Sequence, residues 1–149
     1  NQLNTYQKKK TAICDLVERN ALIKLKVVQK DEFEKADRRL LNFGHTLGHA
    51  LETQYELLHG QAISIGMTYA CHLSEQLTGF RDTERVVRLL EKYQLPTYAS
   101  FDKAKTFNVL KMDKKRERKE MNYVLLDRIG KGVVKTISLK KLEQLIQQF

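Results

Sequence analysis

The sequence predicts a mainly α protein: a bundle-like helical domain with a small β-hairpin near its C-terminus. One proline in 149 residues leaves long stretches free to be helical. Apolar residues recur at three- and four-residue spacing over most of the chain, as in helices that bury one face. The pattern changes where MNYVLL (121–126) and VVKTIS (133–138) flank Asp127-Arg128-Ile129-Gly130-Lys131-Gly132, a hairpin signal.

The elements follow in order. A first helix is expected near 8–29, with Ile13, Leu16, Val17 and Ile23 at mixed helical spacings. A second runs near 35–56 and a third near 61–78, where Gly79 stops it. Asp82 or Thr83 caps a fourth, which carries Val86, Val87, Leu89, Leu90 and Tyr93 and ends before Pro96. Ser100 or Asp102 caps a fifth, through about Met112. After the hairpin, Ser138 caps a last helix with Leu142, Leu145 and Ile146 on one side. No repeat or linker divides the chain, and its length suits one domain over 1–149.

The chemistry concentrates in Arg38 to Glu52, RRLLNFGHTLGHALE. On a continuous helix, Arg38, Asn42, His45 and His49 fall within an arc of roughly 60°. Leu40, Phe43, Leu47, Ala50 and Leu51 fall on about the opposite side. A solvated helix face ordinarily carries Lys, Glu and Gln. A guanidinium, an amide and two imidazoles instead bind anions, hydroxyls and metals, and move protons near neutral pH. Gly44 and Gly48 make a bare strip beside them. Each costs about 1 kcal/mol against alanine inside a helix, so a backbone or a ligand is expected to come close there. His59, before Gly60, is expected at a helix N-terminus, within reach of a metal shared with His45 or His49. The residues alone do not separate those two. Thr46 stands where a zinc-protease motif needs glutamate, so that chemistry is excluded. His72, with no partner pattern, reads as structural.

Composition narrows the classes. No apolar run approaches 18 residues and no signal peptide is visible, which fits a cytoplasmic protein. Cys14 and Cys71 are isolated and read as buried thiols. The net charge of +9 comes largely from Lys8-Lys9-Lys10 and the run Lys114 to Lys119. It attracts anions, but no aromatic residues interleave with the runs, which argues against a nucleic-acid-binding module.

The string RxxLNFGHTxGHAxE followed by LHGxAxSIGM closely resembles the 3-dehydroquinate synthase family. Upstream, Lys24-Leu25-Lys26-Val27-Val28 with Asp31-Glu32-Phe33-Glu34 extends the likeness; downstream, so do Met112-Asp113-Lys114-Lys115, Tyr123 to Leu126 and Ile129-Gly130. The likeness covers the second, helical half of that enzyme. It implies the metal- and substrate-binding domain without the NAD-binding domain that precedes it in the family, and without the family's glutamate metal ligand; the chain begins with Asn1 and has no glycine-rich phosphate loop. It further implies a lyase of the shikimate pathway that turns 3-deoxy-D-arabino-heptulosonate 7-phosphate into 3-dehydroquinate and phosphate, with NAD and zinc or cobalt, as a homodimer when full length. His45 and His59 would be the metal ligands, and His49 would face the substrate near the leaving phosphate. Lys24, Arg38 and Asn42 would contact substrate, Glu34 would orient Lys24 or Arg38, and Lys114 or Lys115 would close on the anionic end. Two departures stand out. Gln61 replaces a frequent glutamate, and the basic loop after Lys115 lacks a common glycine. A related polyol dehydrogenase or cyclitol synthase is the alternative enzyme.

Overall fold

The computed structural model describes residues 10–31, 37–112 and 119–148. The helices are α1 (Lys10–Lys30), a 3-10 helix (Asp37–Asn42), α2 (His45–Gln54), α3 (His59–Thr78), α4 (Thr83–Lys92), α5 (Lys103–Met112) and α6 (Leu139–Gln147); the strands are β1 (Glu120–Arg128) and β2 (Lys131–Ser138). The expected order of helices, then hairpin, then helix is present. The chain forms two compact units, residues 1–41 and 42–149.

In the first unit α1 exposes Ile13, Leu16, Val17, Leu22, Ile23 and Leu25. The backbone N–H of Arg38 donates to Asp31 Oδ2 at 3.0 Å.

The second unit is organised around α3, which is buried at Ala62–Gly66, at Thr68–Cys71 and at Leu73 and Ser74. A helix this apolar on several faces suits the middle of a bundle. Its Ile65, Tyr69 and Leu73 share a core with Leu47 and Leu51 of α2, Phe107 and Leu110 of α5, and Leu142, Leu145 and Ile146 of α6. The hairpin is antiparallel, with Met121 opposite Ile137, Tyr123 opposite Lys135 and Leu125 opposite Val133. An isolated two-stranded hairpin is marginal in water. Here Met121, Tyr123 and Leu125 enter the core. The Ser74 hydroxyl also accepts the Leu126 N–H at 2.9 Å while donating to the Ala70 carbonyl at 2.6 Å.

Several termini follow from single residues. Gly79 closes α3 with φ +76°, a left-handed conformation that glycine adopts freely. Asp102 Oδ1 accepts the Lys105 N–H at 2.9 Å, and Ser138 Oγ accepts that of Lys141 at 3.3 Å, so α5 and α6 have their expected caps.

The expected second helix is corrected. Residues 35–56 do not form a single helix. A 3-10 segment ends at Asn42, the chain turns at Phe43 and Gly44, and α2 begins at His45. Gly44 holds φ +80°, which terminates helical phase. The 60° stripe expected of Arg38, Asn42, His45 and His49 therefore does not exist as one helix face, and only its His45–His49 portion survives.

Candidate metal centre

The site is built on an antiparallel pair of helices joined by Tyr55–Leu58. Glycine sets how close they come. A Cβ on Gly66 of α3 would collide with the Gly44 carbonyl oxygen. One on Gly44 would lie 2.7 Å from the Met67 backbone nitrogen, and one on Gly48 3.1 Å from the Ala62 carbonyl oxygen. The bare strip expected from Gly44 and Gly48 thus serves the approach of another backbone, that of α3. Because the two helices run in opposite directions, the start of α3 returns beside the second turn of α2.

That crossing gathers three imidazoles. His45 opens α2, His49 lies one turn on, and His59 opens α3. Ring centroids are separated by 5.2 Å (His45–His49), 5.8 Å (His45–His59) and 5.9 Å (His49–His59). The Nδ1 of His45 lies 3.1 Å from the Phe43 carbonyl oxygen. The Nδ1 of His59 lies 3.2 Å from each carboxylate oxygen of Glu52. A carbonyl and an ionised carboxylate only accept hydrogen bonds, so in both rings Nδ1 is the donor, which in a neutral imidazole leaves the lone pair on Nε2. Metal-bound histidines commonly have their second nitrogen engaged this way. Neither ring nitrogen of His49 has a hydrogen-bond partner among the described residues. The donor set fits zinc or cobalt, for which imidazole is a suitable ligand.

Glu52 had no role assigned from sequence. Its carboxylate, His49 and His59 offer ligand atoms within 4.8 Å of one another. The available signal was spacing: Glu52 is three residues after His49, on the same face of α2. The Gln61 departure keeps a capping contact that a glutamate would also make. Its side-chain oxygen accepts the Leu58 N–H at 3.2 Å, so the amide closes the first turn of α3. His72 pairs with Glu75 at 3.3 Å, one turn along α3.

Beside His49 opens a cavity of about 420 Å³, lined by Thr46, His49, Ala50, Thr53, Val109, Leu110 and Met112. Three walls of different origin thus meet: imidazole, small polar side chains and the apolar end of α5. Asn42 is exposed at the end of the 3-10 helix. Lys24, exposed on α1, and Arg38 belong to the first unit. Glu34, Lys114 and Lys115 lie outside the described residues.

Comparison with known proteins gives this arrangement a family. The chain is 39% identical over 150 residues to a 3-dehydroquinate synthase of Methylacidiphilum infernorum, covering 95% of this chain and 42% of the relative. It is 41% identical over 140 residues to one from Caldanaerobacter subterraneus subsp. tengcongensis, covering 89% and 38%. The chain therefore spans about two fifths of the length of these relatives. Among solved structures, a 2-deoxy-scyllo-inosose synthase complexed with carbaglucose-6-phosphate, NAD+ and Co2+ superposes with a TM-score of 0.68 at 26% identity, covering 84% of this chain and 39% of that one. The 2-epi-5-epi-valiolone synthase of Streptomyces hygroscopicus subsp. jinggangensis shares the fold, with a TM-score of 0.76 at 22% identity over 95% of this chain and 41% of that one. The family model described as 3-dehydroquinate synthase C-terminal matches residues 1–116, and the chain belongs to that family.

Proposed function

We propose that this chain is the metal- and substrate-binding part of a 3-dehydroquinate synthase, which converts 3-deoxy-D-arabino-heptulosonate 7-phosphate to 3-dehydroquinate and phosphate. The observation that carries the reading is the convergence of His45, His49 and His59 on one helical hairpin, with Nδ1 of His45 and of His59 each facing an acceptor. When bound, NAD supplies a reversible hydride acceptor, and a divalent ion, zinc or cobalt, polarises the oxygen being oxidised. His45 and His59 would hold the ion through their imidazoles. His49, with no hydrogen-bond partner among the described residues, accepts or returns a proton where phosphate leaves. Lys24, Arg38 and Asn42 bind the substrate's charged and hydroxyl groups, and Glu34 orients Lys24 or Arg38. A planar guanidinium suits two-point contact with carboxylate or phosphate. Lys114 and Lys115 follow Met112 by two and three residues, and Met112 lines the cavity beside His49. This sequence proximity supports one of them closing on the anionic end of the substrate. A cavity that holds the opened chain in one conformation promotes ring closure by orientation.

The protein is proposed to be cytoplasmic and, at full length, a homodimer. No helix among the described residues is long and apolar enough to cross a membrane. Identities near 40% to 3-dehydroquinate synthases favour this substrate over that of a cyclitol synthase or polyol dehydrogenase. Turnover of an unphosphorylated polyol by the full-length protein would reverse that preference.

Metal analysis and kinetics of three full-length variants test the assignment. His45→Ala and His59→Ala are expected to lose bound metal and activity together. His49→Ala is expected to keep metal and lose roughly 10²- to 10⁴-fold in kcat, the usual contribution of a general acid–base group. Retention of metal by His45→Ala with its loss in His49→Ala would exchange the two roles.

A further inference from the structure

Among the described residues, Glu52 is the charged side chain in contact with the histidine cluster, and nothing in the reading above gives it work. Both of its oxygens lie 3.2 Å from His59 Nδ1. The contact spans the helical hairpin, from the last turns of α2 to the first residue of α3. The His59 side chain is 58% exposed and that of Glu52 35%, so as an ion pair the contact adds little to folding stability. Its geometry instead fixes a ring. A ring free in solution exchanges its proton between two nitrogens and rotates; a carboxylate on Nδ1 stops both.

We propose that Glu52 is a positioning residue for His59: it holds the proton on Nδ1, so that Nε2 is bare and aimed at the ion shared with His45. The proposal rests on the reading of His45 and His59 as ligands. The two ligands are oriented by different means. His45 is fixed by the Phe43 carbonyl, a backbone group held by the turn at Gly44 that no side-chain substitution removes. His59 depends on a side chain, so it is the ligand whose preorganisation can be deleted by mutation. Direct ligation by Glu52 alongside His49 and His59 is the rival use of the same carboxylate, and it predicts a different outcome.

The experiment compares parent, Glu52→Gln, Glu52→Ala, His45→Ala and His59→Ala as full-length proteins, by Co2+ titration and by 15N spectra of the imidazoles in metal-free, mildly alkaline solution. Glu52→Ala is expected to weaken Co2+ binding about 10- to 100-fold, the usual effect of losing such an outer partner. Glu52→Gln, which keeps a neutral acceptor, should fall between it and the parent. The His59 ring should show the Nδ1–H tautomer in the parent and exchange between tautomers in Glu52→Ala, which a merely structural contact would not produce. Affinity within twofold of the parent, or an unchanged tautomer, overturns the proposal. Complete loss of Co2+ in Glu52→Ala, equal to that in His59→Ala, also overturns it, in favour of direct ligation. If His45→Ala and His59→Ala keep their metal, the ligand reading itself fails. If they lose it while Glu52→Ala binds normally, the role of Glu52 alone fails.

Discussion

At the scale of single residues, glycine decides where the site can exist. Gly66 cannot carry a side chain while the Gly44 carbonyl oxygen lies against it, because that obstacle is backbone and cannot swing aside. Gly66→Ala should therefore cost about 3 kcal/mol, the upper part of the overpacking range, and loosen metal binding with it. Gly60, also on α3, has nothing within 4 Å of a Cβ. Gly60→Ala should be neutral or stabilise by up to about 1 kcal/mol, since alanine restricts the unfolded chain. Urea denaturation of the two variants checks both, and equal effects would mean that the helices do not cross at Gly66. The cysteines form a second contrast. Both were expected to be buried, but Cys14 is exposed on α1. Cys71 is fully covered, and burial, with Glu75 nearby, pushes its thiol up to about 12. A thiolate is the reactive form. A disulfide reagent should modify one thiol of the native protein quickly and the second only in denaturant; two fast thiols would place Cys71 near the surface.

At the scale of elements, the sequence was most legible where one residue type ends a helix. Gly79, Asp102 and Ser138 each mark a terminus because their chemistry has few other uses at those positions. The break before α2 was not legible. Glycines at 44 and 48 fit a helical repeat, and a left-handed Gly44 leaves no separate trace in composition. Glu52 was hidden for a related reason. A glutamate on a helix usually faces solvent, and its nearness to His59 depends on how α2 and α3 cross. The clip between α3 and the hairpin depends equally on tertiary structure. Ser74→Ala leaves the Leu126 N–H without its acceptor, at an expected cost of about 1–3 kcal/mol. Thermal unfolding reads this directly, and an unchanged midpoint would mean that apolar packing and the Thr78 and Lys135 hydrogen bonds hold the hairpin without this one.

At the scale of the whole molecule, polar chemistry and apolar packing share the same helices on different faces, as where His45, His49 and Glu52 interleave with the buried Leu47, Ala50 and Leu51 of α2. The second unit buries Tyr123, Phe107, Leu73 and Leu142 in a core shared by helices and hairpin, while His49 and His59 stay open to solvent. Stability should be distributed accordingly. Amides of Ile63–Cys71, in the middle of α3, are expected to exchange with solvent only on global unfolding, and those of α1, with its exposed apolar side chains, through local opening. Hydrogen exchange followed by mass spectrometry separates the two. Faster exchange in α3 than in α1 would contradict the architecture.

The hairpin of α2 and α3 has one more consequence, for the order of assembly. Its three histidines lie within fifteen consecutive residues, from His45 to His59. Closing so short a loop costs little chain entropy, and contacts local in sequence form early in folding. The imidazole cluster can thus exist before β1 and α6, more than sixty residues further on, have reached the core. A nascent or partly unfolded chain would already present bare imidazole nitrogens to passing metal ions. The ion can then act as a template for the domain, binding to it before it is complete.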